Sequence, residues 1–321
     1  MEIKDLREYP NNPLSFYGGN AGQKYGIIID GEKWIVKFPA STRDFSGQKK
    51  KNTHLPSYTL SPESEYIGSH IYELIGIPVH KTILGFRDNK IVVACKDFTT
   101  PSTRLIEFGA IKNTIDGDKF ISETNDAHSG SCGCIDDVLY TIDNAPVLKN
   151  LPKIKEHFWD MFVVDSFIKN NDRNNGNWGI LYSSDGSYKI APVYDNGNCF
   201  FNKRNDSAAA SRLNDVNSIK QDVIDTNTSF FKNKNGHSLK PMNIIKNMEN
   251  DNINNAVLRI VEKIDIKKII DLINEIPETA FDKIVITSNQ KQLYIEMLKY
   301  GYENVLKPTY DKLVRTQKNK K

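Results

Sequence analysis

A chain of 321 residues with 39% apolar and 26% charged side chains has the composition of a soluble globular protein, long enough for a substantial core in one large domain or two lobes. A formal charge of only +3 excludes a global electrostatic pull toward nucleic acid. No run approaches the ~18 apolar residues of a membrane span, and the N-terminus MEIKDLREYP has no apolar signal-peptide stretch. The expectation is a cytoplasmic protein without membrane or direct nucleic-acid contact, most simply a monomer. Four cysteines, Cys95, Cys132, Cys134 and Cys199, fit neither an ordinary disulfide within GSCGC nor a zinc-site spacing, which leaves free thiols in a reducing compartment.

Residues 1–24 read as irregular and end in the Gly-rich FYGGNAGQK. Tyr25–Ile29, the turn Asp30-Gly31 and Trp34–Phe38 then predict a β-hairpin. A Gly-rich segment leading into a hairpin can lay backbone N–H groups over phosphates, although Gly-Gly-Asn is also plain turn chemistry. The P-loop pattern GxxxxGK[ST] is missing. Lys37 lies in WIVKF, where a charge is out of place among apolar and β-branched residues. Alternation sets it with Ile35 and puts Trp34, Val36 and Phe38 on the other face. Such a lysine either snorkels from an edge or reaches the phosphates of a nucleotide.

Residues 39–60 read as a polar, basic surface loop. A helix is predicted from Ser61 as N-cap, with Pro62 at its first position and an apolar stripe of Ile67, Ile71, Leu74 and Ile75, ending at Gly76. Glu63 and Glu65 are both placed to pair with Lys37, and the helical wheel slightly favours Glu63. Strands follow at Lys81–Phe86 and Lys90–Cys95, so residues 1–95 predict a small antiparallel sheet carrying one helix. Residues 96–99 then lead into a mainly helical part, 100–314, and the basic tail 315–321 reads as disordered. Helical runs are expected near Asp136–Asp143, Ala256–Ile264, Ile266–Ile276, Ala280–Thr287 and Gln290–Val305. The polar insertion 112–134 has no reading.

The chain is organised around Phe158–Asn198, FWDMFVVDSFIKNNDRNNGNWGILYSSDGSYKIAPVYDNGN. Phe158, Met161, Phe162, Asp165, Phe167 and Ile168 recur at helical spacing up to Asn170-Asn171. After the loop Asp172–Asn177 come strand-like runs Trp178–Tyr182 and Tyr188–Val193, joined by the turn Ser183–Gly186. An antiparallel hairpin returns Asp195 to the end where Asn177 enters, with Asp172 tethered nearby. Asn, Asp and Gly also crowd ordinary loops, but the five-residue spacing, the hairpin and the terminal Asp195-Asn196-Gly197 together describe phosphoryl transfer. One Asp acts as base, and an Asn and a second Asp offer hard oxygen ligands suited to Mg²⁺.

These segments, with GGNAGQK, WIVKFP, SEYIGSHIYELIGI, KIVVACKDFTT and IAPVYDNGNC in the same order, resemble the HipA-like serine/threonine kinases, particularly their short stand-alone CtkA-type members. The resemblance implies an α+β, two-lobed kinase-like fold with ATP in the cleft. It implies Asp172 as general base, Asn177 and Asp195 as Mg²⁺ ligands, and Lys37 on the ATP phosphates. Gly22, Gln23 and Lys24 of the Gly-rich stretch would cover those phosphates, and Lys96 and Phe98 would meet adenine through backbone groups. Family register makes Glu65 the partner of Lys37. Relatives commonly carry His two residues after the catalytic Asp, and here Asn174 stands there. The chain also lacks the extra N-terminal subdomain through which full-length HipA toxins meet a DNA-binding antitoxin, which weakens DNA-linked regulation.

The expected function is therefore ATP- and Mg²⁺-dependent phosphorylation of Ser or Thr hydroxyls in a protein substrate, in a toxin or effector setting with an antitoxin or regulatory partner. Autophosphorylation is expected at Ser15, with Ser41 and Thr42 as rivals. A small-molecule kinase on a related fold and a catalytically dead, partner-binding effector are the alternatives. The second is disfavoured because Asp172, Asn177 and Asp195 are all present.

Overall fold

A computed structural model describes residues 1–12, 23–41, 59–115, 133–228, 231–233, 235 and 237–319. The chain forms two compact units. The first gathers Met1–Phe98, Asn196–Ile219 and Asp265–Lys299, and the second Thr99–Asp195, Lys220–Ile264 and Tyr300–Lys321.

The first unit is built on a five-stranded sheet of β1 (Lys4–Asp5), β2 (Lys24–Ile29), β3 (Glu32–Lys37), β4 (Thr82–Arg87) and β5 (Lys90–Lys96), in the order β1-β4-β5-β3-β2. Both hairpin turns use left-handed backbone: Asp30 and Gly31 at φ 51° and 78°, Asp88 and Asn89 at φ 48° and 60°. The alternation read from WIVKF holds, since Trp34, Val36 and Phe38 join Leu6, Ile27, Ile29, Val92 and Ala94 in one buried cluster. The opposite face, bearing Ile35 and Lys37, meets helix α1 (Ser61–Ile75), which buries Ile67, Ile71, Tyr72 and Ile75. Gly76 ends that helix in the left-handed conformation at φ 81°.

Three expectations for this unit change. Residues 1–24 are not wholly irregular: β1 adds a parallel edge to the otherwise antiparallel sheet. The buried Arg87 guanidinium fastens the segment after β1 by donating to the carbonyls of Leu6 and Tyr9 at 2.6 Å each. The N-cap of α1 is Leu60 rather than Ser61, and no side chain caps it; proline at the helix start fixes φ without needing a donor there. Ala280–Thr287 is not helical, because Phe281 and Asp282 adopt φ 52° and 57° and turn Thr279–Ala280 back on Lys283–Ile284. Phe281 stacks on Phe86 with ring centroids 4.6 Å apart, and the Arg7 guanidinium lies over both rings. Helices Asp206–Leu213, Ile266–Glu275 and most of Ser288–Gly301 also belong to the unit, Ile266–Glu275 capped by the Asp265 side chain.

The second unit centres on α2 (Ile154–Ile168), buried nearly all round through Phe158, Trp159, Met161, Phe162, Val163, Val164 and Phe167. Asp251–Val261 packs along it, with Arg259 Nη2 2.7 Å from Asp160 Oδ1. A three-stranded antiparallel sheet runs beside the helix: β6 (Thr103–Glu107), β7 (Gly179–Ser183) and β8 (Tyr188–Ile190). Strand β6 was not anticipated; its residues carry no clean alternation, and pairing with β7 makes it a strand. Gly179 allows that pairing, since a Cβ there would sit 2.2 Å from the Ile106 carbonyl oxygen. The predicted helix near Asp136–Asp143 is found as Ile135–Asn144. The basic tail is helical rather than disordered as far as Lys318, because Lys307–Lys318 packs against Asp251–Val261. Most of the uninterpreted insertion, residues 116–132, lies outside the described residues.

Candidate active site

In the first unit the sheet and α1 bring Lys37 and Glu65 together. Lys37 Nζ is 3.1 Å from Glu65 Oε2. Glu65 Oε1 accepts from His80 Nε2 at 2.8 Å and from the Asn196 backbone N–H at 2.9 Å. The glutamate is 1% exposed. Burial alone would raise its pKa, but Lys37, His80 and the Asn196 amide together outweigh that and hold it well below the carboxylate range. Gly197 packs on this carboxylate: a Cβ there would lie 3.2 Å from Glu65 Oε2. Glu63, favoured by the helical wheel, is instead buried away from Lys37, and desolvation lifts its carboxyl to a pKa of about 8. A wheel cannot rank the two, because Glu63 and Glu65 are both buried in the first turns of α1.

Lys24 stands directly opposite Lys37 in the β2–β3 register, and Tyr25 opposite Val36. Side chains of such partners share a face with Cβ atoms about 4.5–5.5 Å apart, where like charges are unfavourable. Two lysines at that spacing suit an anion. The Gln23 carbonyl accepts from the Phe38 N–H at 3.1 Å, which extends the ladder to the margin of the Gly-rich stretch. Gly22 itself, with Ser15 and Thr42, lies outside the described residues, while Ser41 is exposed. The Lys96 N–H bonds to the Lys81 carbonyl at 2.8 Å, and Phe98 is half-buried.

In the second unit α2 ends at Lys169 in the left-handed conformation. The loop after it is held by its own side chains. Arg173 and Asp165 form an ion pair with both side chains 1% exposed. Nε and Nη2 reach the two carboxylate oxygens at 2.8 and 3.1 Å, and Nη1 donates to the carbonyls of Asn177 and Tyr194. One guanidinium thus ties the helix, the residue entering β7 and the residue before Asp195. Asn170 adds a bond from Nδ2 to Asp165 Oδ1 and accepts the Asp172 N–H.

Asp172 is half-buried. Asn174 Nδ2 donates to its Oδ1 at 3.0 Å, and Asn177 Nδ2 donates to its carbonyl at 2.6 Å. That bond uses the amide nitrogen of Asn177, so Oδ1 is its side-chain atom with cation-binding chemistry. Asp195 adopts φ 61°, uncommon for a residue with a side chain. An amide oxygen and a carboxylate form a hard, all-oxygen donor set, which fits Mg²⁺. Arg173 is the residue that reading by motif missed. Its signal in the sequence is an arginine beside Asp172, eight residues after an aspartate on a helix otherwise buried.

No protein-family model matches the chain. Serine/threonine-protein kinase CtkA of Helicobacter pylori strain J99 is 36% identical over 270 residues, covering 83% of this chain and 77% of that protein. The crystal structure of a Helicobacter pylori proinflammatory kinase CtkA superposes with a TM-score of 0.84 at 31% identity, covering 98% of this chain and 99% of that one. A Shewanella oneidensis HipA–HipB–operator DNA complex aligns more weakly, at TM-score 0.48 and 12% identity, over 94% of this chain and 70% of that one. The α+β fold and the kinase-like architecture agree with the first two likenesses, and the chain belongs to the CtkA-type, HipA-like family of serine/threonine-protein kinases.

Proposed function

We propose that this kinase transfers the γ-phosphoryl group of Mg·ATP to Ser or Thr hydroxyls of a protein. The observation that carries the reading is the loop Asp172–Asn177, in which Asn174 and Asn177 bond Asp172 while Arg173 fixes both flanks. Such a loop presents a positioned carboxylate that can accept a hydroxyl proton. Asn177 Oδ1 and the Asp195 carboxylate would hold Mg²⁺, which when bound neutralises charge on the transferring phosphates. Lys37, held by Glu65, and Lys24 beside it would meet the phosphates as point charges. The Gly-rich stretch including Gly22 and Gln23 would supply main-chain N–H groups, and Lys96 and Phe98 would flank the adenine.

Proton removal, phosphate binding and charge neutralisation are thus assigned to separate residues, as positioning-dominated phosphoryl transfer requires. A protein substrate, and a regulatory or antitoxin partner, belong to the same proposal, as does modification of the chain's own serines. The test is incubation with γ-labelled ATP and a generic protein acceptor, followed by phosphosite mapping. Labelled Ser or Thr with wild type and none with Asp172→Ala is the expected result. Label only on small molecules would favour a small-molecule kinase. No label, with no thermal shift on adding Mg·ATP, would leave a partner-binding effector. Nucleotide at ~100 Kd would stabilise a binding-competent protein by about 2.7 kcal/mol.

A further inference from the structure

Behind Lys37, its partner Glu65 also belongs to a second cluster of donors, whose other members, His80 and Cys95, have no part in phosphoryl transfer. Glu65 on α1, His80 between α1 and β4, and Cys95 on β5 are 1%, 5% and 1% exposed. One ligand atom from each, a carboxylate oxygen, an imidazole nitrogen and Sγ, lies within 4.8 Å of the others. Cys95 shares the helix-covered face of the sheet with Lys37, as the register Ile35↔Cys95 and Lys37↔Val93 requires. Ser69 Oγ is 3.2 Å from His80 Nε2 and accepts from Asn196 Nδ2 at 3.0 Å, adding a fourth donor, an oxygen, at the rim. A cavity of about 310 Å³ reaches the cluster, lined among others by Ser69, His80, His70 and Glu73, and gives an ion a polar route inward.

We propose that Glu65, His80 and Cys95 form a site for a thiophilic divalent transition ion of the zinc class, and that its occupancy shuts the kinase off by drawing Glu65 away from Lys37. One carboxylate, one imidazole and one thiolate are the ligand types such ions prefer. Bond lengths of about 2.0–2.3 Å put tetrahedral ligand atoms roughly 3.3–3.8 Å apart. The cluster therefore needs to tighten by only about an ångström. Charge also closes: a dication with one carboxylate and one thiolate is neutral, which buried surroundings demand.

On binding, the Cys95 S–H bond breaks, an S–metal bond forms and one proton leaves to solvent. His80 Nε2 carries a proton in the ion-free state, because the Glu65 oxygen facing it only accepts. Ligation uses the lone pair of that nitrogen: its proton passes to solvent while Nδ1 takes one up, so the imidazole stays neutral and the thiol proton is the only net release. Mg²⁺, which favours oxygen donors, is a poor competitor for a site containing a thiolate. The inhibitory half of the proposal rests on the reading of Lys37 as the phosphate-binding lysine; the metal site itself does not.

The test uses the full chain, freed of metal, titrated with Co²⁺ and Zn²⁺. Wild type should take up one Co²⁺ with a thiolate-to-cobalt absorption band that one equivalent of Zn²⁺ bleaches. Cys95→Ser and Cys95→Ala should lose the band and weaken Zn²⁺ binding at least tenfold, while Cys134→Ser keeps it. Zn²⁺ should inhibit protein phosphorylation by wild type at saturating Mg·ATP, with at least tenfold resistance in the Cys95 variants. No cobalt–thiolate band in wild type, or a band that survives both Cys95 substitutions, overturns the site. A correct band with no Zn²⁺ inhibition of an active enzyme overturns the coupling to Lys37. The band reads the site even if the chain transfers no phosphate, so the two readings fail separately.

Discussion

Arg173 grips Asp165 through two nitrogens and, with its third, holds the carbonyls of Asn177 and Tyr194, all inside a pair of side chains only 1% exposed. Removing one partner of a buried ion pair strands the other, at a cost of about 3–5 kcal/mol. Arg173→Ala should therefore lower the melting midpoint by many degrees and cut activity with it. Arg173→Lys should recover part of the stability but less of the activity, since a single ammonium cannot reproduce the fork that spans both loop flanks. Differential scanning fluorimetry with a phosphorylation assay checks both. A melting point for Arg173→Ala within about a degree of wild type would contradict the clamp.

Asp172→Ala should remove most of the phosphoryl transfer while leaving nucleotide affinity within several-fold, because a base acts on the acceptor hydroxyl and not on ATP. General-base catalysis supplies roughly 10²–10⁴-fold. A variant that keeps more than about a tenth of wild-type kcat would remove Asp172 from that role.

If Asp195 and Asn177 hold Mg²⁺ as proposed, their substitutions should rank by charge. Asp195→Asn deletes a negative ligand opposite the triphosphate and should raise the Mg²⁺ requirement strongly; Asn177→Ala deletes a neutral amide oxygen and should raise it less. Asn177→Ala also loses the bond to the Asp172 carbonyl, so kcat should fall even at saturating Mg²⁺. Magnesium titrations of ATP binding that rank the variants the other way would reverse the assignment.

Asn174 stands two residues after Asp172, and its Nδ2 donates to Asp172 Oδ1. Asn174→His offers a ring N–H in exchange and should change kcat by less than about tenfold, since the exchange is of one bond for another. Asn174→Ala offers nothing. Hydrogen bonds to charged groups contribute about 1.5–3 kcal/mol, so a loss of one to two orders of magnitude in kcat is expected. Equal rates for wild type and Asn174→Ala would show that the bond does not position the base.

Glu63 gives a pH signature to stability. Burial raises its carboxyl pKa from 4.5 to about 8, so between those values the folded state binds a proton that the unfolded state has released. Stability from this group is fully present below about pH 4.5 and is lost as pH rises through about 8. Glu63→Gln keeps the shape and removes the titration. The variant should gain a few kcal/mol at pH 8–9 relative to wild type and match it near pH 4. Denaturant melts at both pH values decide it; parallel pH profiles for the two proteins would place the charge elsewhere.

Local patterns determined most of what the kinase reading needs. The alternation in WIVKF put Lys37 on one face of β3, Gly76 stopped α1, and the five-residue interval from Asp172 to Asn177 marked the loop. Each of these depends on neighbours within one turn or one hairpin, where residue type and backbone geometry are directly coupled. The tertiary structure decided what depends on residues far apart in the chain. Glu65 rather than Glu63 meets Lys37 because the sheet and His80 approach one side of α1, which a helical wheel cannot rank. The stretch 280–287 turns as a hairpin because Phe281 finds Phe86, and β6 exists because β7 offers it a partner. Arg173 became legible only when three carbonyl and carboxylate acceptors, from Asp165 to Tyr194, closed around one guanidinium. Long-range pairing supplies the free energy for such arrangements, and a sequence read locally holds no record of which partners will meet.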